Sequence, residues 1–333
     1  MKDAHDQDPP LVRLDAAELH FPIGGVLAQL QGRATVVKAV DGITFELRRG
    51  ESVGLLGESG CGKTSTGRML VRLDKATGGK VEFDGEDVST LTGDALKHFR
   101  SRVQLIFQNP FEALNPRFSI RDVLTEPLEN AGIPKAEHET RILRAMELVK
   151  LGDPGQFMDR YAHQLSGGQL QRIVMARALI LEPEFIVADE PVSMLDVSVR
   201  AGVLNVFRDV RKQTGITAIY ISHDLALVRY VCERTIVMYL GRIVEDGPTE
   251  DIVANPLHPY TQALIAAVPA PHPDQSHDPL PIGRGAPDPR NPPSGCTFRD
   301  RCPRAFDRCA VEAPGPTRIQ NRIVHCHLHE TDT

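Results

Sequence analysis

At 333 residues the chain has room for one large domain with an appendage, or for two ordinary domains, and can bury a substantial core. A formal net charge of −6 argues against nucleic acid or an anionic lipid surface as the main partner, since either favours a strongly basic face. No apolar run approaches the roughly 18 residues of a membrane span, and residues 1–10 carry charges and prolines where a signal peptide needs an apolar stretch, so a soluble, non-exported chain with mostly reduced cysteines is expected.

In chain order, residues 1–10 are polar and expected to be disordered. From Leu11 to Leu47, short alternating runs separated by glycines predict half-buried strands in an antiparallel layer. Ser52 to Leu56 predicts a buried strand that enters a glycine-rich loop and then a helix from about Lys63 to Leu73. Further buried strands at Phe185 to Ala188 and Ala218 to Ile221 follow helical patterns or precede them, with helices at Gln169 to Leu181 and Val199 to Lys212. Strands alternating with helices predict a parallel α/β sheet with ligands at the carboxyl ends of its strands. Between about Asn109 and Gln164 the pattern is helical, notably Ala136 to Leu151, and predicts an inserted helical subdomain. Nine of the 25 prolines fall between Pro269 and Pro293, which predicts an extended tether. A compact cysteine-bearing segment, Gly295 to Leu328, follows.

Gly57-Glu58-Ser59-Gly60-Cys61-Gly62-Lys63-Thr64 fits G-x-x-x-x-G-K-[ST] and lies between a predicted strand and a predicted helix. Its glycines let several backbone N–H groups turn inward, where the helix dipole adds positive potential. In that arrangement Gly57, Ser59, Gly60, Cys61, Gly62 and the following Ser65 cradle phosphates, Lys63 neutralises the β- and γ-phosphates, and the Thr64 hydroxyl holds Mg²⁺. The thiol of Cys61 could be acidified by the helix N-terminus or could simply be small enough to fit. The apolar strand at Phe185 ends in Asp189 and Glu190, which suit a metal-binding carboxylate and a base that polarises the attacking water.

Leu165-Ser166-Gly167-Gly168-Gln169 opens the next helix and forms a second anion cradle. One triphosphate does not need two cradles within one chain, so the second is expected to grip a nucleotide held by another subunit. With this motif the sequence resembles the ATP-binding-cassette family, whose signature is L-S-G-G-Q. The resemblance implies a P-loop NTPase with a RecA-like parallel sheet, an N-terminal antiparallel β subdomain, an inserted α-helical subdomain and a small cysteine-bearing C-terminal extension. It implies a cassette over residues 11–246 with a helical subdomain at 109–168, an extension and linker at 247–294, and a cysteine-rich segment at 295–333. It further implies that Gln108 meets the metal and the attacking water, that His223 contacts the γ-phosphate, and that Asp196, in Ser193-Met194-Leu195-Asp196, touches the facing subunit. Phe21 is a candidate for stacking on adenine, with core packing as the alternative.

Asn115-Pro116-Arg117, Asn255-Pro256-Leu257-His258-Pro259-Tyr260-Thr261 and Pro292-Pro293-Ser294-Gly295-Cys296 resemble ATP-binding subunits of bacterial oligopeptide and dipeptide importers. That resemblance implies ATP hydrolysis that drives peptide uptake, with nickel or glutathione as alternative cargo. It implies a second ATPase subunit, as a heterodimer or a homodimer, and two transmembrane permease subunits. An extracytoplasmic binding protein would act indirectly, and the chain would sit peripherally on the cytoplasmic side of the cell membrane. Cys296, Cys302, Cys309 and Cys326 could hold a [4Fe–4S] cluster or Zn²⁺; their spacing does not choose, and the resemblance favours the cluster. Cys232 is expected to be buried packing, and His325, His327 and His329 a solvated polar tail, with competition as zinc ligands the alternative. Cassette ATPases that act on DNA usually insert long coiled coils, and no sustained heptad occurs here. A kinase or GTPase would leave Leu165 to Gln169 unexplained.

Overall fold

The computed structural model describes residues 9–23, 35–267 and 288–330. The expected disorder of residues 1–8 and most of the expected tether lie outside the described residues. Strand β1 (Val12–Ile23) pairs antiparallel with β2 (Thr35–Leu47), Val12 facing Leu47 and Phe21 facing Val37. The alternation read from the sequence buries Val12, Leu14, Ala17 and Leu19. β3 (Ser52–Leu56) is buried along its whole length and leads through the glycine-rich loop into α1 (Lys63–Leu70). β4 (Gly78–Phe83) then returns to pair with β1, and β5 (Glu86–Asp87) completes a four-stranded sheet in the order β2-β1-β4-β5.

Helix α2 (Gly93–Arg102) and strand β6 (Val103–Ile106) lead into the helical insertion, which contains α3 (Ile120–Ala131), α4 (Lys135–Leu148) and the start of α5 (Gly167–Leu179). A reciprocal Ser119–Asp122 capping box begins α3, and Gly132 in the left-handed conformation ends it. Apolar faces of the three helices meet through Val123, Leu124, Ile142, Met146 and Ile173. Beyond the insertion come β7 (Phe185–Asp189), α6 (Val197–Thr214), β8 (Thr217–Ser222), α7 (Leu225–Val231) and β9 (Arg234–Tyr239).

Strands β6, β7, β8, β3 and β9 are parallel neighbours, so the carboxyl ends of β3, β6, β7 and β8 lie along one rim. The chain then forms β10 (Arg242–Pro248), α8 (Thr249–Ala254), α9 (Pro259–Ala266), α10 (Asp307–Val311), β11 (Thr317–Ile319) and β12 (Arg322–Val324). β10 is antiparallel to β9, and β12 adds to β10 with Glu245 opposite Val324. The cysteine-bearing segment therefore extends the main sheet, in the order β11-β12-β10-β9-β3-β8-β7-β6. It also has a share in a core of its own, where Phe298 packs against Tyr239 and Tyr260. None of the helices among the described residues is long and apolar enough to cross a membrane.

Candidate functional site

The loop between β3 and α1 is held open by its own lysine. Lys63 is 5% exposed, and its Nζ donates to the carbonyl oxygens of Gly57 at 2.8 Å and Glu58 at 2.9 Å. Gly62 has φ +106°, and a Cβ there would lie 2.1 Å from the carbonyl oxygen of Ala39, so only glycine lets the loop back onto β2. Cys61 is buried, and burial pushes its thiol above the usual range despite the nearby Lys63 ammonium. Burial thus outweighs the Lys63 charge, in line with Cys61 as a small residue that fits the loop and against an acidified thiol.

Three strand ends converge opposite the loop. Thr64 Oγ1 donates to Asp189 Oδ1 at 3.3 Å. Asp189 is nearly buried, and desolvation raises its pKa, reinforced by the charge of Glu190 and opposed by Thr64 and Lys63. A buried carboxylate next to a hydroxyl and an ammonium suits a hard cation such as Mg²⁺, which would supply the missing positive charge. Glu190 takes φ +43°, with its backbone N–H on the carbonyl of Ile221 at 2.9 Å. Its carboxylate accepts from Gln108 Nε2 at 2.8 Å and, with the proton on Nδ1, from His223 at 2.9 Å. Gln108 follows β6 and His223 follows β8, so parallel pairing of β6, β7 and β8 assembles this trio.

A cleft of about 480 Å³ is lined by Val37, Ala39, Ser59, Gly60, Gly62, Lys63, Thr64, Ser65, Gln108, Glu190, His223 and Pro289. Gly57 and Cys61 shape the loop behind it, and Asp189 lies behind Thr64. Nothing in the motif spacing marked Val37, Ala39 or Pro289, which reach the cleft only through sheet packing and the return of the C-terminal segment. Phe21 is not part of this lining. It is 41% exposed, which excludes core packing, and stands directly opposite Val37 across the β1–β2 ladder, so the two side chains share one face.

Ser166 to Gln169 and Asp196 also lie apart from the cleft lining. The Ser166 hydroxyl accepts from the Gln169 N–H at 3.3 Å while Gln169 Oε1 accepts from the Ser166 N–H at 3.0 Å, a closed capping box on α5. A Cβ at Gly168 would come within 2.5 Å of Val199, so this glycine is also required for packing of α5 on α6. Asp196 is the N-cap of α6 without a side-chain bond to it, and the neighbouring Met194 and Val197 are 62% and 79% exposed.

The four C-terminal cysteines gather at one end of the extended sheet. The Cys296 N–H donates to the Cys309 carbonyl at 2.9 Å, and burial pushes the thiols of Cys296 and Cys302 up and that of Cys326 up to about 11, the last also feeling the other three sulfurs. No three of these sulfurs lie mutually within 4.8 Å. A single zinc ion would draw four thiolates to about 3.8 Å of one another, whereas a four-iron cube spreads its ligands over separate corners. Four thiolates suit either group. Cys232 is buried, as expected, but the polar-tail reading of the histidines is corrected. His327 is buried with bonds to Glu330 and the Glu312 carbonyl, His325 loses proton affinity through burial, and His329 bonds the Leu257 carbonyl. Among the described residues, Glu18, His20 and Asp41 do approach one another within 4.8 Å, but Arg242 and Lys38 already occupy the Asp41 carboxylate.

A family model described as ABC transporter matches residues 40–193, and one described as oligopeptide/dipeptide transporter, C-terminal region, matches residues 244–309. A Brucella ovis protein named for peptide import and ATP binding is 50% identical over 293 residues, 88% of this chain and 92% of its own. The dipeptide transport ATP-binding protein DppF of Escherichia coli K12 is 40% identical over 333 residues, 99% of this chain and 98% of its own. A solved dimeric ATP-binding cassette in a post-hydrolysis state, bound to ADP and Pi, matches with a TM-score of 0.62 at 26% identity, over 72% of this chain and 98% of that one.

Proposed function

Because the chain belongs to the ABC transporter family, among its oligopeptide and dipeptide import ATPases, we propose a division of labour among the residues of the cleft. The protein is an ATP-hydrolysing subunit of a peptide importer. Its phosphate loop binds the triphosphate through backbone N–H groups and Lys63, and Phe21 stacks on the adenine from the face it shares with Val37. Thr64, Asp189 and Gln108 would hold Mg²⁺, which supplies charge neutralisation at the β- and γ-phosphates. Glu190 orients and polarises the attacking water, Gln108 positions it, and His223 holds the Glu190 carboxylate and reaches the γ-phosphate.

The second cradle serves another nucleotide. Ser166 to Gln169 grip the γ-phosphate bound by a facing ATPase subunit, and exposed Met194 and Val197 flank Asp196 on the surface that meets it. ATP closes this pair, hydrolysis removes the γ-phosphate both sides hold, and the pair reopens. The facing subunit is a second ATPase, most simply a related chain in a heterodimer. The helical insertion takes up the motion and passes it to two membrane subunits, which places the chain peripherally on the cytoplasmic face of the membrane, with an extracytoplasmic binding protein supplying the peptide. Cys296, Cys302, Cys309 and Cys326 hold a [4Fe–4S] cluster, with zinc as the second reading. Anaerobic purification is expected to give a brown protein absorbing near 400 nm, and a colourless protein with stoichiometric zinc reverses that choice.

The observation that carries the hydrolytic reading is the convergence of Gln108 and His223 on the carboxylate of Glu190, opposite the Lys63 loop. Replacing Glu190 by Gln tests it: MgATP binding should persist while steady-state hydrolysis collapses, and an unchanged turnover number removes Glu190 from the role of base.

A further inference from the structure

Glu58 is the one acidic residue inside the phosphate loop, where a polyanion must bind. Each of its polar groups is engaged. The backbone carbonyl accepts from Lys63 Nζ at 2.9 Å, and the backbone N–H donates to the Tyr260 hydroxyl at 2.8 Å. The carboxylate accepts from both terminal nitrogens of Arg301, at 2.7 and 2.9 Å, in a bidentate pair. Arg301 is mostly buried and lies over the rings of Tyr239 and Phe298, so its guanidinium is fixed from behind. Two of these three partners, Tyr260 and Arg301, come from the C-terminal region, Arg301 from 243 residues away and immediately before Cys302.

We propose that Arg301 is a positioning residue for nucleotide binding: it neutralises and anchors Glu58, so that the cysteine-bearing segment sets the affinity of the phosphate loop for the triphosphate. The inference rests on the cleft being the ATP site. Glu58 is outside the cleft lining, but a free carboxylate in the loop that binds the phosphates would repel them, and in this half-buried setting the repulsion is incompletely screened. Arg301 removes that charge and, with Tyr260, holds the Glu58 backbone so that the neighbouring N–H groups stay turned toward the cleft. Because Arg301 adjoins Cys302, a rearrangement at the thiols is transmitted to the loop through a single peptide unit and a rigid ion pair.

The test is calorimetric MgATP binding to the full chain carrying Arg301→Gln, Arg301→Lys, Glu58→Gln or the Arg301→Gln/Glu58→Gln pair, with thermal unfolding as a check on folding. Arg301→Gln is expected to weaken binding about 10-fold, the order expected when one half of a charge-assisted pair is lost. Arg301→Lys should retain most of the affinity, and adding Glu58→Gln to Arg301→Gln should restore it, because the unpaired charge is then gone. A packing defect would not be rescued from position 58. Should Arg301→Gln fail to fold, Glu58→Gln alone must bind MgATP at least as tightly as the unmodified chain. Unchanged affinity in folded Arg301→Gln, no restoration in the pair, or weakened binding in Glu58→Gln overturns the inference. An unmodified chain that does not bind MgATP overturns the assignment of the cleft itself.

Discussion

Glu190 is bound on every side: its backbone in the left-handed region, its N–H on Ile221, its carboxylate between Gln108 and His223. A non-glycine residue at φ +43° costs of order 1–3 kcal/mol, and the surrounding bonds hold it there to aim one carboxylate at the cleft. Glu190→Gln keeps the shape and loses the basicity, so turnover is expected to fall roughly 10²- to 10⁴-fold with MgATP affinity preserved, checked by steady-state phosphate release beside equilibrium binding. Glu190 was legible as one of two acids at the end of an apolar strand, whereas Gln108 and His223 carry no local signal of their own and were named only through the family resemblance. The Glu58–Arg301 pair was not legible, since 243 residues separate its members and an arginine beside a cysteine carries no local signal.

At the scale of elements, the strongly patterned pieces were readable. The fully buried β3 and β7 and the helices α4, α5 and α6 follow from periodicity to within about two or three residues. β6, β9 and β10 escaped: β6 is only four residues long, and Arg234 and Asp246 place an ion pair on β9 and β10, which breaks the apolar run expected of buried strands. Helix α9 carries a pH-dependent cap. His258 is buried, its Nδ1 accepts the Tyr260 N–H at 3.0 Å, and burial, together with His325 and His329, depresses its pKa to about 3 from an ordinary 6.5. Below pH 6.5 the unfolded chain takes up a proton that the folded chain refuses, so this contribution to stability is complete above that pH and is lost as pH falls toward 3. The loss amounts to about 1 kcal/mol per pH unit. His258→Asn keeps a cap acceptor without titrating, and denaturant unfolding at pH 7 and pH 5 should show a smaller acid-side loss for it than for the unmodified chain; equal losses would mean that His258 is not the group responsible.

On the scale of the whole molecule, alternation of strands and helices predicted the parallel sheet, and the change of composition after Val268 marked the extension. It could not show that β12 docks on β10, because strand addition at a sheet edge depends on backbone hydrogen bonds that any residue offers. The same limit applies to assembly. Ser166 to Gln169 stand outside the cleft that contains Lys63; in the assembly proposed above, one chain presents half of each of two nucleotide sites and a facing chain completes them. The most direct measurement is ATP-dependent association of the Glu190→Gln protein with its partner ATPase subunit, followed by light scattering, with and without Ser166→Arg. Ser166→Arg is expected to abolish association while MgATP still binds the isolated chain. Association that survives the substitution undiminished would contradict a nucleotide held from both sides.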